Sequence, residues 1–70
     1  MLTVIENNIV NDLKEIEEYS IPSIKENILS LSQEDKADYI KDLAKAYNYT
    51  TKEVKRAVNY FIFDIEEYYN

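Results

Sequence analysis

Hydrophobic residues return every three or four positions along most of the chain, and the pattern divides into four runs. The first is Ile5, Ile9, Leu13 and Ile16, one apolar stripe with Glu15, Glu17 and Glu18 largely off it. Thr3-Val4-Ile5-Glu6 precedes it with the spacing of a capping box, in which a hydroxyl and a carboxylate satisfy free backbone donors at a helix start. The pattern predicts a helix over about residues 4–19. Ser20-Ile21-Pro22-Ser23 breaks it, since proline cannot continue a helix yet suits the first turn of the next. Ile24, Ile28 and Leu31 then predict a short second helix over about residues 22–31.

Ser32 opens the third run as an N-cap, with Gln33, Glu34 and Asp35 in a first turn that favours negative charge. Tyr39, Ile40, Leu43, Ala44 and Tyr47 mark its inner side, so a helix is expected over about residues 33–47. The fourth start is the clearest. Thr50-Thr51-Lys52-Glu53 is a second capping box, and Tyr49 and Val54 stand at the positions of a hydrophobic staple. Val54, Ala57, Val58, Phe61, Ile65 and Tyr68 continue at spacings of three and four, which predicts a helix over about residues 51–69.

Composition agrees with this pattern. There is no glycine and one proline, Pro22, so the tight hairpins of a β fold would be hard to build. The expected fold is all-α: a compact bundle of three or four helices, one domain over residues 1–70. A chain of 70 residues buries a modest core, and with no Cys it has no disulfide to strengthen it. Dimerisation, for instance through the fourth helix, is an open route to further burial. The N-terminus lacks the basic region of a signal peptide, and the longest apolar run, Tyr60-Phe61-Ile62-Phe63, is far too short to span a bilayer. A cytoplasmic protein with no membrane partner is therefore expected.

The missing residue types also limit the chemistry. Without His or Cys, the commonest general base, the thiol nucleophile and the usual zinc ligands are absent. Without Gly there is no glycine-rich phosphate loop. Glu17-Glu18 and Glu66-Glu67 are paired acids, but neighbours on a helix point about 100 degrees apart and do not converge. Asp64 and Glu67 lie in no loop of oxygen ligands that would hold a divalent ion. The expectation is a non-catalytic protein with no catalytic residue, no cofactor and no metal.

The net charge of −6 is unevenly spread. Residues 1–40 carry a surplus of six acids, residues 41–60 a surplus of three bases, and residues 61–70 three acids. The basic segment runs Ile40-Lys-Asp-Leu-Ala-Lys-Ala-Tyr-Asn-Tyr-Thr-Thr-Lys-Glu-Val-Lys-Arg-Ala-Val-Asn59. It resembles the helix-turn-helix segment of many bacterial and phage DNA-binding proteins. Ala44 matches the small residue where the two helices cross, Asn48 the usual glycine of the turn, and Thr50 the cap of the second helix. Val54 and Val58 match its core positions. The resemblance implies that Thr51, Lys52, Lys55, Arg56 and Asn59 face outward, and these residue types contact phosphates and base edges. An ordinary αα-corner with a lysine-rich outer face would show the same order of residues.

The aromatic load points elsewhere. Seven tyrosines and two phenylalanines cannot all be hidden in so small a core. The fourth helix carries Tyr60, Phe63, Tyr68 and Tyr69 among the acids Asp64, Glu66 and Glu67, a combination suited to a basic protein surface. In composition the whole chain is similar to short acidic proteins that phages encode to inhibit host proteins, some of them nucleic-acid-binding enzymes. The reading taken first is thus a non-catalytic, phage-type inhibitor that binds a basic protein through those seven residues. The alternative is a helix-turn-helix transcriptional regulator binding DNA. A small structural subunit of a larger assembly is the third.

Overall fold

The structure, a computed structural model, describes residues 2–64. It contains α1 (Val4–Tyr19), α2 (Ile24–Leu29), α3 (Gln33–Tyr47) and α4 (Thr51–Phe63), and no strand among the described residues. Both predicted capping boxes are formed. At the start of α1 the Thr3 hydroxyl accepts from the Glu6 N–H at 3.1 Å, and the Glu6 carboxylate accepts from the Thr3 N–H at 2.9 Å. Thr50 and Glu53 repeat the arrangement at the start of α4. Ser32 caps α3 through the Asp35 N–H.

Two helices differ from expectation. The second begins at Ile24 and ends at Leu29, shorter than 22–31, because Ser23 takes the N-cap position and leaves Pro22 outside. Glu17 reinforces that start. Its carboxylate accepts the Ser23 hydroxyl at 2.6 Å and the Ile24 N–H at 2.7 Å, so the end of α1 caps the beginning of α2. The fourth helix ends at Phe63, and the part of the expected 51–69 beyond residue 64 lies outside the described residues. Asp64 adopts a left-handed conformation there (φ 57°), and its N–H donates to the Tyr60 carbonyl at 2.7 Å. A short polar side chain tolerates that conformation, which terminates helices.

The bundle is organised around α4, which packs most extensively on α1 and also on α3 and α2. Val54, Ala57, Val58 and Phe61 form its buried stripe, against Ile9, Val10 and Leu13 of α1, Ile28 of α2, and Ile40 and Ala44 of α3. Ile9, Leu13, Val54 and Val58 are fully enclosed, each burial being worth about 1.5–3 kcal/mol. Ile16, expected on the inner stripe of the first helix, is 47 % exposed. The core closes at Leu13, well over a turn before α1 ends at Tyr19.

Each of the other helices also lays a lysine over the aromatic end of α4. Lys14 of α1 lies 6.0 Å from the Tyr60 ring centroid, Lys25 of α2 5.4 Å from that of Phe61, and Lys36 of α3 5.6 Å from that of Phe63.

Candidate nucleic-acid interface

The junction of α3 and α4 is built from local rules. Asn48 ends α3 in a left-handed conformation (φ 62°, ψ 41°), which asparagine tolerates better than most residues. The Tyr49 N–H turns back to the Ala44 carbonyl at 3.0 Å, and Thr50 starts α4 two residues after Asn48. Tyr47 and Tyr49 stack across the turn with ring centroids 6.0 Å apart. Ala44 is buried in the core that α3 shares with α4. The Glu53 carboxylate is occupied by its own N-cap, accepting from both the backbone N–H and the hydroxyl of Thr50.

Between these two helices lies an open groove of about 620 Å³. Lys36 and Lys41 line it from α3 and Lys52 and Lys55 from α4, with Gln33 and Thr51 as further polar groups and Ala37 and Ile40 as the apolar ones. These are four of the chain's eight basic residues, and no acid is among those lining residues. Burial, and then the nearby Lys55 ammonium, hold Lys36 below the ordinary lysine pKa of 10.5. A neighbouring hollow beside the turn is mixed in charge, with Asp38 and Asp42 facing Lys41 and Lys45. Acidic side chains therefore bound the basic groove on that side.

The five residues expected to face outward separate into two groups. Thr51, Lys52 and Lys55 are exposed. Arg56 and Asn59 are half-buried and turned to neighbouring helices, which corrects the outward placement. The Arg56 Nε lies 3.0 Å from the carboxylate of Glu6, a residue only 3 % exposed at the start of α1. The Asn59 side-chain oxygen accepts from the Lys36 ammonium at 3.0 Å.

Of the seven residues expected to bind protein, Tyr60, Phe63 and Asp64 are among the described residues. Tyr60 is half-buried beneath Lys14, Phe63 is 48 % exposed beside Lys36, and Asp64 is exposed, its backbone forming the C-cap of α4. Glu66, Glu67, Tyr68 and Tyr69 lie outside the described residues. A different apolar surface is present at the corner of α1 and α2, where Ile16, Tyr19 and Ile21 are exposed beside Glu15 and Glu18.

Lys36 and Lys41 are the basic groove residues outside the expected site, because the resemblance drew that site from the outer face of the fourth helix alone. Their helical spacing with Gln33, Ala37 and Ile40 was the available signal. No group of three or more Asp or Glu side chains among the described residues is placed to hold a metal ion. No helix among them is long and apolar enough to cross a membrane. Comparison with protein-family models, with curated proteins and with solved structures finds no match for this chain.

Proposed function

We propose that this chain is a non-catalytic helix-turn-helix protein that docks duplex DNA against the lysine-lined face of α3 and α4. The observation that carries the reading is the convergence of Lys36, Lys41, Lys52 and Lys55 on one groove free of lining acids. Phosphate neutralisation supplies most of the sequence-independent affinity of such proteins for DNA. The net charge of −6 does not oppose this as strongly as the total suggests. At physiological salt the screening length is about 8 Å. The described residues span 29 × 25 × 23 Å, so the acids on their far side act weakly on a ligand at the groove. The cytoplasm, where such a protein meets DNA, is its proposed location.

Fluorescence anisotropy with a short duplex tests the reading. If each of the four lysines meets one phosphate, log K should fall with log salt at a slope of about −3.6. Replacing Lys52 and Lys55 together by alanine should reduce the slope by about 1.8 and leave thermal stability unchanged within about 0.5 kcal/mol. Absence of duplex binding at low salt overturns the reading.

A second reading, a phage-type inhibitor binding a basic protein surface, is supported by the acid-flanked patch of Ile16, Tyr19 and Ile21 and by the overall charge. Affinity capture from a bacterial lysate with and without nuclease separates the two. Protein retained at stoichiometric amounts after nuclease and released by salt supports the inhibitor, and charge reversal at Glu66 and Glu67 should then weaken capture. DNA recovered alone, and lost on nuclease treatment, supports the first reading.

A further inference from the structure

Resting on the nucleic-acid reading of the α3–α4 face, we infer that the groove engages duplex DNA through its phosphates without reading base sequence. In α4, positions 52, 55, 56 and 59 recur at spacings of three and four and so share one face of the helix. In a helix presented to the major groove, that face meets the base edges. Discrimination there comes chiefly from side chains with paired donors or a donor and an acceptor, arginine to guanine and asparagine to adenine above all.

This chain places both residue types on that face and then engages both elsewhere. Arg56 is drawn toward α1, with its Nε 3.0 Å from the Glu6 carboxylate. Asn59 is drawn toward α3, with its side-chain oxygen accepting from the Lys36 ammonium at 3.0 Å. Its oxygen keeps a second lone pair, but the bond to Lys36 fixes the amide in an orientation set by α3, and a paired contact to adenine requires the amide to turn its oxygen and its N–H groups together toward the base. Moving Arg56 out would leave Glu6 charged in a site where its side chain is only 4 % exposed. The side chains that line the groove with donors to spare are Thr51, Lys52 and Lys55, joined across it by Lys41 and by Lys36, whose ammonium keeps donors beyond the one given to Asn59. Four of these five are compact ammonium point charges on flexible stems, well suited to phosphate and poorly suited to a planar fork of hydrogen bonds.

The face thus keeps the shape of a recognition element while its discriminating side chains serve the fold. A single paired arginine–guanine or asparagine–adenine contact gives roughly 5- to 150-fold discrimination between bases. With neither contact made, duplexes of different sequence should bind within about threefold of one another at a given salt concentration, since phosphate contacts carry no base information.

The experiment uses the full chain and a random-sequence duplex pool carried through several rounds of selection. Anisotropy is then measured on duplexes of A·T-rich, G·C-rich and mixed sequence, with inorganic polyphosphate as competitor. Expected are an unenriched pool, affinities within about threefold, and complete displacement by polyphosphate. Two variants sharpen the result. Asn59→Ala should leave duplex affinity within about twofold, whereas Lys52→Ala should lower it more than any change at position 59. An enriched motif bound tenfold or more tightly than the pool overturns the inference and leaves the nucleic-acid reading standing. Failure to bind any duplex or polyphosphate at low salt overturns both.

Discussion

Removing Arg56 should unfold much of this protein's stability margin, and the size of the loss follows from the burial of its partner. The Glu6 side chain is 4 % exposed. One of its oxygens accepts the Thr3 N–H at 2.9 Å and the other lies 3.0 Å from the Arg56 Nε. In Arg56→Met the aliphatic volume is kept, but the carboxylate stays buried without the facing cation, still accepting from the Thr3 N–H. Breaking a buried ion pair from one side costs about 3–5 kcal/mol. Arg56 is 31 % exposed, so water already screens its side of the pair, and the lower end of about 3 kcal/mol is the appropriate figure. A domain of 70 residues has a total stability of roughly 4–10 kcal/mol, so this one change removes a third or more of it. The melting temperature should fall by about 12–24 °C. Glu6→Gln keeps the oxygen that caps Thr3 and leaves Arg56 able to reach water, so it should cost about 1–2 kcal/mol. The double variant should be more stable than Arg56→Met alone, because the stranded charge is gone, which requires a coupling larger than the cost of Glu6→Gln itself, about 2–3 kcal/mol. Urea denaturation followed by far-UV circular dichroism gives all corners of the cycle. A loss under 1 kcal/mol for Arg56→Met, with no relief from Glu6→Gln, would refute the argument.

The turn between α3 and α4 depends on the left-handed Asn48. Asn48→Ala should cost about 1–2 kcal/mol, whereas Asn48→Gly should be neutral or stabilising by less than about 1 kcal/mol. Equal stabilities of the two variants in urea would mean that the turn does not use that conformation. The corner between α1 and α2 should respond to acid. The Ser23 hydroxyl above all, and then the backbone N–H groups of Ile24 and Lys25, hold Glu17 below its ordinary pKa of 4.5. The folded value lies below the unfolded one, so the contribution of Glu17 is present above pH 4.5 and is lost as pH falls through the folded value. Carbon-detected NMR of the Glu17 carboxyl should give a midpoint below 4.5, with the Ile24 amide shifting in step, and a midpoint at or above 4.5 would contradict the capping role.

Features governed by neighbouring residues were legible in the sequence. Thr3 with Glu6, and Thr50 with Glu53, place the starts of α1 and α4 at the expected residues, because a capping box lies within four consecutive positions. The inward stripe of Val54, Ala57, Val58 and Phe61 was legible for the same reason. The end of α4 was not. Apolar spacing continues through Ile65 and Tyr68, and nothing in that period announces that Asp64 turns left-handed. Nor was the candidate site complete, since half its lysines come from α3 and meet Lys52 and Lys55 only after the chain has turned back on itself. The pairing of Glu6 with Arg56 was hidden most deeply. Each has a satisfactory local explanation, a capping acid and an outward cation, and their contact spans 50 positions of chain.

The three lysines laid over the end of α4 bear on how the protein can be handled. Lys14, Lys25 and Lys36 each hold an ammonium about 5.4–6.0 Å from an aromatic ring centroid, and Phe63 beneath Lys36 is already half exposed. Amine-acylating dyes and crosslinkers would turn these cations into neutral amides, removing the cation–π attraction and the solvated cover together. Labelled protein would present a stickier aromatic end and tend to self-associate. Reductive methylation keeps the charge and should leave the solution behaviour unchanged. Attachment of probes through the amines therefore risks creating the association it is meant to detect, and a cysteine introduced at an exposed position such as Asn8, in a chain that has none of its own, avoids it.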